Sequence, residues 1–297
     1  MANTIAALLE STPLNKTDAK ALLGHLLDKH LGWPRSALIS RDQEPLPNEL
    51  LITWKSLEAQ RISGMPVAYL IGMKGFHGIE LKVNEAVLIP RPETELLVDL
   101  ALEEIKHIHA KCPNQTIQIL DLGTGSGAIA IAIAYAIATM NKTPVSLNIL
   151  GVDQSSAAIE LARENAKLLG LNHSVEFLPS NWYDAIPNRY QTTFDVIVSN
   201  PPYIQKDDPH LHEGDLRFEP RSALTDDGDG LSCIREIVSH AHHYLKPGGL
   251  IAVEHGYDQA AEISVLLENH AFHDIGAITD LAGHLRVTQA RKEDPTF

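Results

Sequence analysis

A glycine-rich turn that follows an apolar segment sets the strongest constraint on the fold of this chain. Residues 119–122 read Ile-Leu-Asp-Leu and lead directly into Gly-Thr-Gly-Ser-Gly at 123–127, and an apolar stretch covers 128–138. A strand that turns through glycines into a helix exposes backbone N–H groups at the helix N-terminus, where an anionic group is favoured. Glycine is needed because a Cβ would block the turn or the approach of a ligand. The segment predicts a strand–turn–helix unit in an α/β sheet.

The chain beyond Cys112 alternates between predicted strands and predicted helices. The strands are expected at 117–122, 147–153, 175–178, 194–199, 250–255 and near 286–290. The helices are expected at 126–140, 155–169, 231–245 and 259–269. Alternation of this kind is typical of a parallel sheet with helices on both faces.

The chain before this region has a different pattern. In residues 1–66, Thr17 is the expected cap of a helix that ends near Gly32, and a second helix is expected over 49–62. Residues 67–89 predict a β-hairpin that includes the apolar run 86–89, and a helix is expected over 94–107. Basic and acidic residues balance within 1–66, so the surplus of negative charge lies beyond it. We expect a helical domain at 1–66, a hairpin linker at 67–91 and an α/β domain at 92–297.

Composition excludes several classes of protein. The 297 residues include 24 Lys and Arg against 38 Asp and Glu, a net charge of −14, which opposes a general nucleic-acid binder. Cys112 and Cys233 form no paired motif, and none of the 15 histidines forms a zinc-binding pair with a nearby Glu, so no metal site is predicted. The apolar stretch 128–138 is shorter than the roughly 18 residues of a membrane span. With no secretory signal visible at the start, we expect a cytoplasmic protein.

The glycine turn alone does not identify the cofactor. It lacks the Gly-Lys-Ser/Thr ending of a P-loop, but Gly123, Gly125 and Ala128 satisfy a loose dinucleotide fingerprint, so NAD and other nucleosides remain possible ligands. Asp153 ends the next predicted strand, where its carboxylate could accept both hydroxyls of a ribose. The alternative is that Asp153 only caps the following helix.

A second motif, Asn200-Pro201-Pro202-Tyr203, comes directly after the predicted strand 194–199. In open α/β sheets, ligands bind beyond the carboxyl ends of the strands, so this loop is expected to face the cofactor. The two prolines fix the backbone and carry no N–H, which leaves rigid carbonyl acceptors. Asn200 supplies a further acceptor and Tyr203 a flat face. The alternative is that the prolines only stiffen a loop.

These motifs together resemble the class I S-adenosylmethionine-dependent amino-methyltransferases. Further segments resemble the bacterial peptide-chain release-factor glutamine methyltransferases within that class. They are Tyr-Leu-Ile-Gly at 69–72, Phe76, Val-Leu-Ile-Pro-Arg-Pro-Glu-Thr-Glu at 87–95, Arg-Phe-Glu-Pro at 217–220, Glu-His-Gly at 254–256 and Arg-Val-Thr at 286–288. The resemblance implies a Rossmann-like α/β domain with a mixed, mostly parallel seven-stranded sheet, a small all-α N-terminal domain and a linking β-hairpin.

The resemblance also implies the cofactor, the substrate and the residues that bind them. The cofactor would be S-adenosylmethionine, bound by Gly123, Thr124, Gly125, Ser126, Gly127, Asp153 at its ribose, Trp182 beside its adenine, and Asn200. The substrate glutamine, in the Gly-Gly-Gln loop of class 1 release factors, would be bound by Asn200, Pro201, Pro202 and Tyr203. The helical domain would dock the release factor, with no stable nucleic-acid or membrane partner. Asn181 departs from the family, which usually has Asp there.

A chemical hypothesis follows for the loop at 200–203. An amide nitrogen is a poor nucleophile because its lone pair is delocalised into the carbonyl. If the Asn200 side-chain oxygen and the Pro201 carbonyl each accept one N–H of the substrate amide, they orient the nitrogen and stabilise positive charge as it develops. Asn200 and Pro201 are therefore the predicted catalytic residues, with Tyr203 stacked on the amide.

Other interpretations stay open at this point. A DNA adenine or cytosine amino-methyltransferase would share the loop motif, although it would need a basic face to hold DNA. A nicotinamide-dependent oxidoreductase would share the glycine turn but would leave Asn200–Tyr203 unexplained. Arg91 and Glu93 could form an ion pair or line the substrate channel. The acidic segment 207–230 could be a solvated loop or a lid.

Overall fold

The computed structural model describes residues 3–140 and 145–294, which divide into two compact units. The first unit contains the chain up to Met73 together with His212–Phe218. The second contains Lys74–Leu211 and the chain from Glu219 onward.

The first unit is helical, as the sequence predicts. Its helices are α1 Ile5–Ser11, α2 Lys16–Leu31, α3 Ala37–Ser40, α4 Asn48–Ile62 and α5 Val67–Ile71. The expected cap of α2 is wrong by two residues, because the Asn15 side chain accepts the Asp18 N–H at 2.9 Å while Thr17 already lies inside the helix. The helix ends at Gly32 as predicted, with φ of 64°. Buried leucines of α2 pack against Leu50 and Trp54 of α4.

The segment 67–89, predicted as a hairpin, is a hairpin over only part of its length. Residues 67–71 form helix α5, which ends at Gly72 with φ of 76°. Strands β1 Met73–Phe76 and β2 Ile79–Lys82 then pair. The expected strand at 86–89 is wrong. Residues 86–89 are not part of any strand in the part of the chain that the structure describes, and the Ile89 N–H donates to Glu219 Oε2 at 2.9 Å.

The second unit contains a seven-stranded, mostly parallel sheet, which confirms the predicted fold class. Its strands are β3 Ile117–Leu122, β4 Leu147–Asp153, β5 Val175–Pro179, β6 Phe194–Ser199, β7 Leu245–Glu254, β8 Phe272–Thr279 and β9 Leu285–Lys292. Their order is β5-β4-β3-β6-β7-β9-β8. Strand β9 runs antiparallel to both of its neighbours, β7 and β8, and the other pairs of the described sheet are parallel. Alternation in the sequence did not indicate β8, because this edge strand is largely exposed and carries no apolar repeat.

Helices cover the sheet: α6 Glu95–Lys111, α7 Ala128–Thr139, α8 Ser156–Leu168, α9 Ser232–Tyr244 and α10 Ala260–Asn269. The apolar stretch 128–138 is the buried helix that the sequence predicts, since α7 packs against the sheet and between α6 and α8. This packing explains why α7 is apolar on nearly every face. No helix within the described residues is long and apolar enough to cross a membrane.

Strand register brings the predicted site residues to one edge of the sheet. Leu122 of β3 is paired with Val152 of β4 on one side and with Ser199 of β6 on the other. The residues that follow these three, Gly123, Asp153 and Asn200, therefore leave the sheet side by side. This edge is the point where the strand order reverses, which is where open α/β sheets bind ligands.

Candidate active site

An open cavity lies at this edge of the second unit. Eight of the predicted site residues line it: Gly123, Thr124, Gly125, Ser126, Asp153, Trp182, Asn200 and Pro202. Gly127, Pro201 and Tyr203 are not among its lining residues. Residues 86–88 and 220–223 contribute to the wall as well, except Arg221.

The glycine turn, residues 123–127, depends on backbone conformations that favour glycine. Gly123, Gly125 and Gly127 have φ values of 74°, 55° and 82°. A Cβ on Gly127 would lie 2.7 Å from the Ile131 side chain, whereas a Cβ on Gly125 would meet nothing within 4 Å. Gly127 therefore leaves little room for a side chain beside α7, and Gly125 leaves open space beside the cavity.

Asp121 holds the glycine turn in place through hydrogen bonds. The sequence analysis assigned no role to this residue. Its Oδ2 accepts the Thr124 hydroxyl at 2.6 Å and the Ala130 N–H at 3.3 Å. Complete burial raises the pKa of Asp121 to about 7, although these two hydrogen bonds act in the opposite direction. Within the described part of the chain, Asp121 Oδ1 has no hydrogen-bond partner.

Asp153 connects the second strand end to the turn. Its Oδ2 accepts the Gly125 N–H and its Oδ1 the Ser155 N–H, both at 2.9 Å. Ser155, not Asp153, caps α8, because the Ser155 Oγ accepts the Ala158 N–H. Burial raises the pKa of Asp153, and the two backbone hydrogen bonds oppose the shift. An ionised carboxylate has further lone pairs, so both ribose hydroxyls can still be accepted.

Trp182 and Asn181 form the part of the cavity wall next to the glycine turn. The Trp182 ring would lie 3.4 Å from a Cβ placed on Gly123, so the ring sits directly beside the turn. Its flat apolar surface suits a purine. Asn181 is exposed at the rim, and its Nδ2 donates to Asp184 Oδ2 at 3.1 Å.

The acceptor loop, residues 200–203, is held by side chains from distant parts of the chain. Asn200 Nδ2 donates to Thr94 Oγ1 at 3.0 Å, and the Tyr203 hydroxyl donates to Glu254 Oε1 at 3.2 Å. Gln259 Nε2 donates to the Tyr203 carbonyl at 3.0 Å. Burial first, and then the nearby Glu254 carboxylate, raise the pKa of Tyr203. The sequence prediction missed Thr94, Glu254 and Gln259, although Glu254 ends the strand beside Asn200.

Arg91 forms an ion pair, but its partner is Glu219 and not the Glu93 considered in the sequence analysis. Its guanidinium pairs with Glu219, whose side chain is completely buried and also accepts the Ile89 N–H. The pair joins the segment around residues 86–91 to the segment that begins at residue 219, and both segments contribute to the cavity wall. Arg91 therefore forms an ion pair that shapes the cavity.

The acidic segment 207–230 is not one continuous loop element. His212–Phe218 belong to the first unit. Most of the remaining acids are used locally: Asp226 accepts backbone N–H groups of Gly228, Gly230 and Ser232, and Arg221 and Arg235 pair with Asp227 and Asp229. The described residues contain no group of three or more His, Cys, Asp or Glu side chains that could hold a metal ion.

The donor set in the cavity fits S-adenosylmethionine. A glycine turn before a helix N-terminus, a carboxylate that can accept hydroxyl groups and a flat indole occur around a single space. Together with the strand order, this site defines a class I methyltransferase.

Comparisons with known proteins give the same class and a narrower family. A profile described as "Methyltransferase domain" matches residues 113–292, and one described as "PrmC N-terminal domain" matches 2–72. A methyltransferase structure from Pyrococcus furiosus has the same fold, with a TM-score of 0.50 and 15% identity over 80% of this chain and 99% of that one.

Two relatives are similar over almost their whole length. The release factor glutamine methyltransferase of Burkholderia pseudomallei is 45% identical over 97% of this chain and 96% of its own. That of Xylella fastidiosa strain 9a5c is 42% identical over 98% of each. The chain belongs to the release factor glutamine methyltransferase family. It is an S-adenosylmethionine-dependent methyltransferase.

Proposed function

We propose that this enzyme methylates the side-chain amide nitrogen of the glutamine in the Gly-Gly-Gln loop of class 1 peptide chain release factors, and that it thereby modulates translation termination. The observation that supports this most directly is the position of Asn200. It lines the cofactor cavity at the end of β6, and its Nδ2 is already engaged by Thr94, which leaves Oδ1 as an acceptor for a substrate N–H.

The chain's own residues divide the work between binding and orientation. When bound, S-adenosylmethionine supplies an electrophilic methyl group. Gly123, Thr124, Gly125 and Ser126 would hold its methionine end, Asp153 its ribose and Trp182 its adenine. Fixing the reacting groups in this way can contribute roughly 7–11 kcal/mol to catalysis.

Asn200 and Pro201 would act on the substrate amide. The Asn200 Oδ1 and the Pro201 carbonyl each accept one N–H, so the nitrogen is oriented and the positive charge that develops on it is stabilised. No strong base is needed before the transfer, because the amide proton can leave to water afterwards. Pro202 keeps the loop rigid, and Tyr203 presents its ring to the planar amide.

Mass spectrometry of a release factor tests the proposal. Purified class 1 release factor is incubated with the enzyme and S-adenosylmethionine, and its peptides are mapped. We expect one added methyl group on the loop glutamine and none on a release factor with that glutamine changed to glutamate. Modification at another residue, or of duplex DNA offered in parallel, would contradict the assignment.

The first unit would serve as the docking module for the release factor. Its surface carries three exposed isoleucines, and the two most exposed are Ile39 and Ile52, at 84% and 70%. Large contiguous apolar patches mark protein–protein interaction sites, and we expect these isoleucines to belong to one. We expect Ile52→Glu to raise KM for the release factor severalfold and to leave the Kd of the cofactor unchanged, as measured by steady-state kinetics and calorimetry. An unchanged KM for both Ile39→Glu and Ile52→Glu would contradict this docking surface.

A further inference from the structure

The two prolines of the acceptor loop restrict how the loop can be held. Pro201 and Pro202 have no N–H, so hydrogen bonds from the surroundings can reach their backbone only at the carbonyls. In the proposed function, the Pro201 carbonyl is needed for the substrate. The structure holds the loop at the carbonyl of Tyr203, which accepts a hydrogen bond from Gln259 Nε2 at 3.0 Å. The position of the loop therefore depends in part on the amide group of Gln259.

The orientation of the Gln259 amide is fixed by groups that can each play only one role. The backbone N–H of Gly256 donates to Gln259 Oε1 at 2.8 Å. On the other side, the carbonyls of Tyr203 and Gly230 accept from Gln259 Nε2 at 3.0 and 3.3 Å. A backbone N–H can only donate and a carbonyl can only accept, so a flipped amide would lose all three hydrogen bonds. Gln259 is buried, which makes such a loss costly.

The turn at residues 255–259, between β7 and α10, gives this amide a fixed base. The Gly256 carbonyl accepts the Gln259 backbone N–H at 3.1 Å and lies 2.7 Å from His255 Nδ1. Because a carbonyl cannot donate, Nδ1 carries the proton of the ring. Burial lowers the pKa of His255, so the ring is neutral and its Nε2 accepts the Thr288 hydroxyl at 2.8 Å. Strand β9 thus supports the turn through Thr288.

Two glycines leave the space that this arrangement needs. A Cβ on Gly230 would overlap the Tyr203 carbonyl oxygen and would lie 2.9 Å from Gln259 Nε2. A Cβ on Gly256 would lie 3.1 Å from Gln259 Oε1. A side chain at either position would therefore push against the amide or against the carbonyl that the amide holds.

We infer that Gln259 is a positioning residue for methyl transfer, because its amide holds the Tyr203 end of the acceptor loop. His255 and Thr288 hold Gln259 in turn, through the turn at 255–259. Gln259 is not among the described residues that line the cavity, so it acts through the loop. A displacement of about 1 Å can cost about 10²-fold in rate. The inference rests on the proposed function for the identity of the substrate.

Two substitutions of Gln259 remove its donor group in different ways. Gln259→Glu keeps nearly the same shape and keeps an acceptor for the Gly256 N–H, but a carboxylate cannot donate to the carbonyls of Tyr203 and Gly230. Gln259→Met fills a similar volume and makes none of the three hydrogen bonds. Thr288→Val removes the hydroxyl that supports His255, whereas Thr288→Ser keeps it.

Gln115 offers a matched control elsewhere in the second unit. Its Nε2 donates to Asp195 Oδ1 at 3.0 Å, and it precedes β3, at the edge of the sheet opposite to the site. Gln115→Glu therefore also replaces a donor by a carboxylate that faces an oxygen. It is expected to lower stability without any effect on the acceptor loop.

The decisive quantity is kcat for each enzyme molecule that binds cofactor. Calorimetry with S-adenosylmethionine gives the number of binding sites and the Kd, and steady-state kinetics gives kcat and KM for the release factor. We expect kcat per site to fall about 30-fold in Gln259→Glu and about tenfold in Gln259→Met, while KM and Kd change less than about twofold. Thr288→Val should lower kcat about threefold, and Thr288→Ser should restore it. Gln115→Glu should keep the wild-type kcat per site.

Hydrogen exchange gives a second readout that does not depend on the reaction. Ile204 and Lys206, directly after the acceptor loop, donate their N–H groups to backbone carbonyls at 3.0 and 3.1 Å. We expect these amides to exchange about tenfold faster in both Gln259 variants and at the wild-type rate in Gln115→Glu, as measured by mass spectrometry of the peptide that contains them.

Contrary results are equally specific. A wild-type kcat per site in both Gln259 variants would overturn the inference, as would an equal fall in Gln115→Glu. If the Gln259 variants do not fold, equal kcat per site in Thr288→Val and Thr288→Ser would overturn it instead. Failure of the proposed function is a separate result: the wild-type enzyme would then not methylate the release factor, whereas hydrogen exchange after the loop would still distinguish the Gln259 variants from Gln115→Glu.

Discussion

The glycine turn and the acceptor loop lie at the ends of neighbouring strands, yet they are held in different ways. Around the glycine turn, the contacts are mostly backbone N–H groups, and the partners Asp121 and Asp153 come from the same strand or the next one. The acceptor loop is fixed by the side chains of Thr94, Glu254 and Gln259, up to 106 residues away in the chain. A cofactor that contacts the backbone of the turn requires a turn of the right conformation. A substrate amide that must be oriented requires hydrogen-bond donors and acceptors at defined positions.

This difference predicts that changes in the two regions affect different quantities. Variants in the glycine turn should change stability and cofactor affinity. Variants in the acceptor loop should change kcat while the cofactor still binds. The largest effects on kcat are expected at positions where a single side chain contacts the reacting amide.

Asn200→Ala should separate the two regions most clearly. We expect kcat to fall about 10³-fold, because a preorganised acceptor for the developing charge is lost. The Kd of S-adenosylmethionine should rise only a fewfold, since the glycine turn, Asp153 and Trp182 remain. Single-turnover methylation and calorimetry measure the two quantities, with wild type run alongside. Methylation near the wild-type rate would contradict the role of Asn200 in orientation.

The same difference explains how much of the molecule the sequence predicts. Strands β3, β4 and β6 and helix α7 are predicted correctly because their apolar patterns and the glycine turn are local signals. Once those strands are parallel, Gly123, Asp153 and Asn200 must meet at one edge. The cofactor side of the site therefore follows from local sequence and topology.

The support of the acceptor loop does not follow in this way. Thr94 lies in a motif already noted in the sequence, and Glu254 ends a predicted strand. Neither spacing nor periodicity shows that Thr94 bonds the side chain of residue 200 or that Glu254 bonds the hydroxyl of residue 203. The run 86–89 has strong strand character, yet the buried Glu219 carboxylate takes its last N–H in place of a strand neighbour. Long-range side-chain contacts decided both cases.

Gly127 and Gly125 provide a matched pair within the glycine turn. Alanine at either position must adopt a positive φ, which costs about 1–2 kcal/mol. Only at Gly127 would the new Cβ also clash, with Ile131 at 2.7 Å. We expect Gly127→Ala to lower the free energy of unfolding by about 3 kcal/mol and Gly125→Ala by about 1 kcal/mol, measured in urea without cofactor. Equal losses would show that backbone strain, not packing of α7, dominates the turn.

Asp121 makes the stability of the turn depend on pH. Its pKa in the folded protein is raised from 3.8 to about 7, so the folded state retains a proton that the unfolded state loses as pH rises. Stability is therefore lost as pH increases through this interval. We expect the free energy of unfolding of wild type, relative to Asp121→Asn, to fall by about 3 kcal/mol between pH 5 and pH 8.

Denaturant titrations of the cofactor-free proteins at several pH values measure this difference. Glu254 also has a raised pKa, but its contribution is common to both proteins and cancels. If the two pH profiles run parallel, Asp121 does not take up a proton on folding.

Asn181 sets the smallest expected effect, although it departs from the residue usual in the family. Its Nδ2 donates to Asp184 at 3.1 Å, which leaves Oδ1 as the free acceptor, so the amide already offers the adenine what a carboxylate would offer. Asn181→Asp would instead place two carboxylates together at an exposed position, where repulsion is worth well under about 1 kcal/mol. We expect the Kd of S-adenosylmethionine to change less than about threefold in Asn181→Asp, and the same in the charge-matched double variant with Asp184→Asn. A larger change, measured by calorimetry, would mean that cofactor binding at Asn181 depends on one defined acceptor, as substrate orientation does at Asn200. The contrast between the glycine turn and the acceptor loop would then not hold for the residues beside the adenine.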